Sequence, residues 1–170
     1  KGAKLSTLFM PDGPGSLEAA LDALVAKAEA MVRGGVSILV LTDRGVDAEH
    51  APLPMLLAVG AIHHHLIRAG LRMHADLVCE TGEVWDVHQL ATLIGFGASA
   101  VHPYLALTAA GNYAGTRGNE DKTAGELQAT YLHSLDYGML KTTSKMGIST
   151  AMGYRGAQIF EAIGLNRAFI

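Results

Sequence analysis

The sequence predicts an α/β fold: repeated βα units around a parallel sheet, amounting to a partial, half TIM-barrel-like domain. Three observations predict it. Short apolar runs without polar alternation, such as Ile38–Leu41, have the pattern of strands covered on both faces. A segment with apolar residues at helical spacing follows each of them. The resulting order, β-α-β-α-β-α-β-α, implies parallel strands joined by right-handed crossovers. About four or five such units make half of an eight-unit barrel. An open sheet is the alternative, but a half barrel leaves strand edges that need cover. The preferred expectation is therefore one part of a larger barrel-like domain.

Leu5–Met10 reads as the first strand. The turn PDGPGS follows, with Ser16 placed to cap the next helix. Leu17, Leu21, Leu24, Val25, Ala28, Met31 and Val32 recur at helical spacing, and Glu18 suits the positive end of the helix dipole. Gly34–Gly35 ends that helix. The second strand, Ile38–Leu41, stops at Thr42, Asp43, Arg44 and Gly45, and a loop runs to Ala51. Pro52 and Pro54 fit a helix entrance, where a missing N–H costs nothing. Met55, Val59, Ile62 and Leu66 supply the buried stripe, and Gly70 closes the helix.

The third strand, Ala75–Cys79, ends in Glu80, Thr81 and Gly82. Its helix carries Val84, Val87, Leu90, Ala91 and Ile94. Gly95 and Gly97 flank a turn into a fourth strand, Ala98–Val101, which ends in His102, Pro103 and Tyr104. Gly111–Lys122 is polar and glycine-containing and reads as a mobile surface loop. Thr123 and Glu126 have capping-box spacing and start a helix whose buried face includes Leu132, Leu135 and Met139. A short piece around Ile148 and a last helix from about Gly156 to Ile163 complete the chain.

Composition narrows the function classes. The 170 residues suffice for one domain with a sizeable core, and the whole of 1–170 is read as a single domain. Net charge is −3 with interspersed signs, which gives no nucleic-acid footprint. No apolar run is long enough for a bilayer, and Lys1–Met10 lacks the form of a secretory signal. The single Cys79 rules out an internal disulfide and a protein-built iron–sulfur cluster. A reducing cytoplasm is the compartment expected. The missing initiator Met and the apolar terminus Phe169–Ile170 suggest a piece of something longer.

The candidate site lies at the strand ends. Asp43 and Arg44, Glu80 and Thr81, His102 and Tyr104 fall at the carboxyl ends of parallel strands and should share one rim, where α/β folds place their sites. An acid, a base and a cation there suit proton transfer or carboxylate binding. The competing reading is a fixed hydrogen-bond and salt-bridge network that closes the rim against a neighbour.

Other features carry less. Consecutive helical residues point about 100° apart, so His63–His64–His65 cannot close on one metal; one packed histidine and two surface ones are expected. Cys79 adjoins the acidic Glu80 and reads as structural. GFGASA runs from helix to strand, the reverse of a phosphate cradle. No P-loop, HExxH or GxSxG occurs. No catalytic, cofactor-binding or metal-binding residue is assigned.

Three blocks carry a family resemblance: TDRGVDAEHAPLPMLLAVGAIHHHLIRAGLR, ETGEVWDVHQLATLIGFGASAVHPYLAL and KMGISTAMGYRGAQIFEAIGLN. In this order and spacing they resemble the large subunit of glutamate synthase, in the later half of its central domain, over about Leu17 to Asn166. The resemblance implies a parent enzyme that converts glutamine and 2-oxoglutarate into two glutamates for ammonia assimilation. It implies an amidotransferase domain and an FMN domain as same-chain partners, with FMN and an iron–sulfur cluster in the parent and no cofactor in this segment. The segment would be structural, linking those domains and helping to wall the ammonia tunnel. Two other functions stay open on the residues alone: a free-standing small α/β enzyme working at the rim, and a docking module that self-associates through its open edge.

Overall fold

In the computed structural model, which describes residues 1–161, 163 and 164, the alternation holds. The strands are β1 (Gly2–Ser6), β2 (Leu8–Phe9), β3 (Ile38–Thr42), β4 (Ala51–Pro52), β5 (Asp76–Glu80) and β6 (Ala100–His102). The helices are α1 (Ser16–Arg33), α2 (Met55–Arg68), α3 (Val87–Gly95), α4 (Tyr104–Gly111), α5 (Ala124–Lys145) and α6 (Ala151–Tyr154). A 3-10 turn, Arg72–His74, leads into β5.

The main sheet is parallel throughout and runs in sequence order, β1-β3-β5-β6. Each crossover helix returns the chain to the adjacent strand, as in one arc of a βα barrel. Register sorts the strand residues into two faces. Leu5, Leu41, Cys79 and Val101 align across the sheet, and so do Ala3, Leu39 and Leu77. Leu39, Leu41, Leu77 and Cys79 are wholly buried. With Ala58, Val59, Ile62 and Leu66 of α2 and Leu24, Ala28 and Val32 of α1 they form the core. Each leucine, isoleucine and valine among them contributes about 1.5–3 kcal/mol of burial.

The opposite face is open. Lys4, Val40, Val78 and Ala100 form one layer on it, and Ser6, Thr42, Glu80 and His102 the next. Ile38 stays 43% exposed there. The expectation that Ile38–Leu41 is covered on both faces is thus corrected: among the described residues, helices cover one face only. Apolar residues on the other face hid the alternation.

Local chemistry explains several helix ends. Arg33 in the last turn of α1 pairs with Glu29 at 2.7 Å, and Glu29 also holds His65 of α2. Asp86 and Gln89 form a capping box on α3, which the sequence reading passed over. Thr123 and Glu126 form the expected one on α5. The N-terminus of α2 is closed from a distance: its Met55 N–H donates to Glu83 at 3.0 Å.

Several expectations shift. The first strand is Gly2–Ser6, because it pairs with β3 from its start; Leu8–Phe9 belongs to a separate antiparallel ribbon with Ala51–Pro52. Pro52 is therefore in a short edge strand, where its missing N–H is tolerated, and only Pro54 stands at the helix entrance. Ser16 is the first helical residue and caps nothing; Gly15, at φ 86°, takes the cap position. Val84 is buried but precedes α3. The stretch 104–111 is a helix that was not anticipated. On α5, Leu135 is buried, Met139 is half-buried and Leu132 faces outward. The last helix expected over Gly156–Ile163 is absent over residues 156–161; a single turn, α6, precedes it, and residue 162 lies outside the described set.

Candidate functional site

β3, β5 and β6 end in register, which brings Thr42, Glu80 and His102 to one level of the rim. Glu80 is the centre. Its side chain is 13% exposed and carries three partners: Thr42 Oγ1 donates at 2.7 Å, Lys4 Nζ at 3.0 Å, and Arg44 Nε lies 2.9 Å from Oε1. Burial alone would raise its pKa, but the hydrogen bonds from Thr42, Lys4 and Arg44 and the Lys4 charge outweigh it and hold the carboxyl at about 2. Arg44 then lies over Tyr104, its guanidinium carbon 3.8 Å from the ring centroid. Burial raises the Tyr104 phenol pKa, and the Asp43 carboxylate beside it adds to the rise.

Asp43 is the centre of a second knot, which adjoins the first at Tyr104. It is 3% exposed and accepts from Thr81 Oγ1 at 2.6 Å and from the Gly82 N–H at 3.0 Å. Thr81 in turn accepts from the Glu83 N–H at 3.1 Å. A buried carboxylate is tolerated here because fixed donors replace its water. Burial raises the Glu83 carboxyl pKa, and the Asp43 charge adds to the rise.

The rim set is therefore joined as expected for Arg44, Glu80 and Tyr104 and for Asp43 and Thr81. His102 shares the level, and its backbone carbonyl accepts from the Thr81 N–H at 3.0 Å, but its side chain makes no hydrogen bond among the described residues. Lys4 was missed because its strand was expected to begin one residue later. Two-residue periodicity backward from Ser6 would have found it. Glu83 gave no sequence signal, since its role depends on a contact 28 residues away.

Chemically, the rim fixes charge. Glu80 and Asp43 are each held by this chain's own donors, and the Arg44 guanidinium is shared between Glu80 and Tyr104. Cys79 lies beneath the rim, wholly buried, its thiol pKa raised to about 12 by burial and then by Asp43 and Glu83. A lone buried thiol does not fit an iron–sulfur cluster. The turn after α3 does not fit a flavin phosphate either. A Cβ on Gly97 would meet the His63 ring, and one on Gly95 would come 2.5 Å from Phe160, so both glycines face protein. No group of three metal-ligating side chains occurs among the described residues. His63 packs and His64 is exposed, as expected of one core and one surface histidine, but His65, expected at the surface, is half-buried and binds Glu29. No helix among the described residues is long and apolar enough to cross a membrane.

Sequential parallel strands, helices on one face and a polar rim at the strand ends define a partial TIM-barrel-like α/β unit. Solved structures share the fold. A flavocytochrome b2 double mutant with pyruvate bound matches with a TM-score of 0.56 at 13% identity, over 85% of this chain and 36% of that one. The recombinant flavin-binding domain of baker's yeast flavocytochrome b2 matches at 0.55 and 12%. Sequence gives the family: the profile of the glutamate synthase central domain matches residues 1–166, and the chain belongs to that family. Ferredoxin-dependent glutamate synthase 2 of Synechocystis sp. is 46% identical over 99% of this chain. The glutamate synthase [NADPH] large chain of Bacillus subtilis is 44% identical over 100% of it. The chain spans 12% and 11% of the length of these two relatives.

Proposed function

We propose that this chain is an architectural segment of a glutamate synthase, a fragment of its central domain that forms one structural unit over 1–170. The parent would convert glutamine and 2-oxoglutarate into two glutamates. It would carry FMN and an iron–sulfur cluster outside this segment and work in the cytoplasm. The segment would link the amidotransferase and FMN domains of the same polypeptide and help to wall the passage for ammonia. The observation that carries this reading is the pairing of a family match over residues 1–166 with a rim whose acids Glu80 and Asp43 are already held by this chain's own donors. A rim whose two carboxylates are held by this chain's own donors suits a wall or a seam better than a centre that transfers protons through a free carboxylate. For the same reason the free-standing enzyme is the weaker reading.

Replacing Arg44 or Asp43 by Ala in the intact enzyme tests it. Glutamate formation from glutamine should fall while formation from added ammonia is kept, with ammonia escaping to the medium. Unchanged coupling, leakage and stability in both variants would overturn the role given to the rim.

A further inference from the structure

At the end of the sheet away from the rim, Arg72 and Arg155 grip the same stretch of chain, the turn into β6. Arg72 lies in the 3-10 turn before β5. Its Nη2 donates to the Gly97 carbonyl at 2.8 Å, its Nε to His63 Nδ1 at 2.9 Å and its Nη1 to the Ala75 carbonyl. Arg155 opens a strap, residues 155–160, that crosses α2 and α3. Its Nη1 donates to Ser99 Oγ at 2.9 Å, and the Gly156 N–H ties the strap to the Gly95 carbonyl at 2.8 Å. Both guanidinium groups are therefore held in place by this chain, with less side-chain freedom to lose when a partner arrives.

Their charge is not balanced by this chain. Both arginines line a cavity of about 470 Å³ at the starts of the strands, in which Asp76 is the one carboxylate among the lining residues. Asp76 Oδ1 accepts from Ser99 Oγ at 2.6 Å and lies 3.6 Å from Arg155 Nη1. Among the described residues Arg72 has no carboxylate partner, and Arg155 Nε is enclosed without an acceptor. Charged donors thus outnumber acceptors in this corner, and the flat guanidinium fork is suited to a carboxylate.

The remaining walls select what carries that carboxylate. Met73 and Met152, both in the lining, are 87% and 70% exposed. A hydrated ion gains nothing from two bare thioether side chains. A polypeptide does, and arginine with methionine is the composition of protein interfaces. There is chain to supply it, since this one spans 12% and 11% of the two glutamate synthases described above.

We infer that this corner is the docking site of an acidic segment of the parent polypeptide, outside residues 1–170, which seats a carboxylate between Arg72 and Arg155 and packs apolar side chains on Met73 and Met152. The inference rests on the reading of this chain as a segment of a longer parent, and adds a second seam at the end opposite the rim.

The test uses the full polypeptide that carries this chain. A photo-crosslinker is placed as Met73→p-benzoylphenylalanine and, separately, as Met152→p-benzoylphenylalanine; both side chains are exposed, so the core is left intact. Mass spectrometry after irradiation and digestion maps the joined peptides. The expected result is one segment outside residues 1–170, joined from both positions and carrying Asp or Glu at the contact. Arg155→Glu should then cut the cross-link about tenfold at an unchanged thermal midpoint, through like-charge repulsion. If Arg155→Glu lowers the midpoint, changing the mapped acid to its amide takes its place, with the same loss expected. A joined segment without an acid, or a yield that the charge change leaves unaltered, would overturn the carboxylate contact. A long polypeptide with no internal cross-link would overturn the docking alone, whether the corner is joined to a second copy or takes up inorganic phosphate instead. A polypeptide no longer than this chain would overturn the parent reading and the docking with it.

Discussion

Arg44 Nε and Glu80 Oε1 lie 2.9 Å apart, joining the ends of two neighbouring parallel strands. The pair is more than a surface ion pair, because Thr42 and Lys4 also donate to Glu80 and hold it low and partly covered. The sign of its pH effect follows. A carboxyl with an ordinary value of 4.5, held at about 2 in the fold, contributes stability that is fully present above about pH 4.5. That contribution drains away as pH falls toward 2. Urea midpoints of the chain should drop through this window, and Glu80→Gln should flatten that part of the profile.

Gly138 lies mid-helix in α5, where alanine would ordinarily stabilise by about 1 kcal/mol. Here the added Cβ would come 2.3 Å from Val87 Cγ2 on α3. Gly138→Ala is expected to destabilise by about 1–3 kcal/mol through overpacking. Val87→Ala in the same chain should recover part of the loss, read as a double-mutant cycle in chemical denaturation.

Leu41 and Val40 are neighbours in β3 on opposite faces, one wholly buried and one half-covered. Leu41→Ala should cost about 2–5 kcal/mol, as for a cavity in a packed core. Val40→Ser should cost the isolated chain less than about 1 kcal/mol, since its face has no helix over it. Comparable losses in thermal midpoint would contradict the one-sided sheet.

Cys79, with its thiol pKa raised to about 12 and no exposed surface, should resist alkylation in the native chain. Iodoacetamide labelling should track global unfolding across a urea series. Labelling at native conditions would place the thiol outside the core.

The rim was legible because polar residues cluster where apolar runs stop, at Thr42–Arg44, Glu80–Thr81 and His102–Tyr104, and parallel strands carry such ends to one side. The capping box at Thr123–Glu126 was legible as well, since its partners are three residues apart. Lys4 and Glu83 were not. Strand period could place Lys4 on the rim face, but that it meets Glu80, and that Glu83 meets the Met55 N–H, depends on segments far apart in the chain, which no local pattern encodes.

The sequence by itself determined the βα alternation, the parallel sheet and the inert cysteine, all of which rest on period and on residue chemistry within a few positions. Only the tertiary structure decided which sheet face the helices cover. It also decided that Leu8–Phe9 pairs with Ala51–Pro52, and that a strap in place of a last helix crosses α2 and α3 over His63. These outcomes depend on register and on contacts between distant segments. An apolar run reads the same whether one of its faces or both are covered.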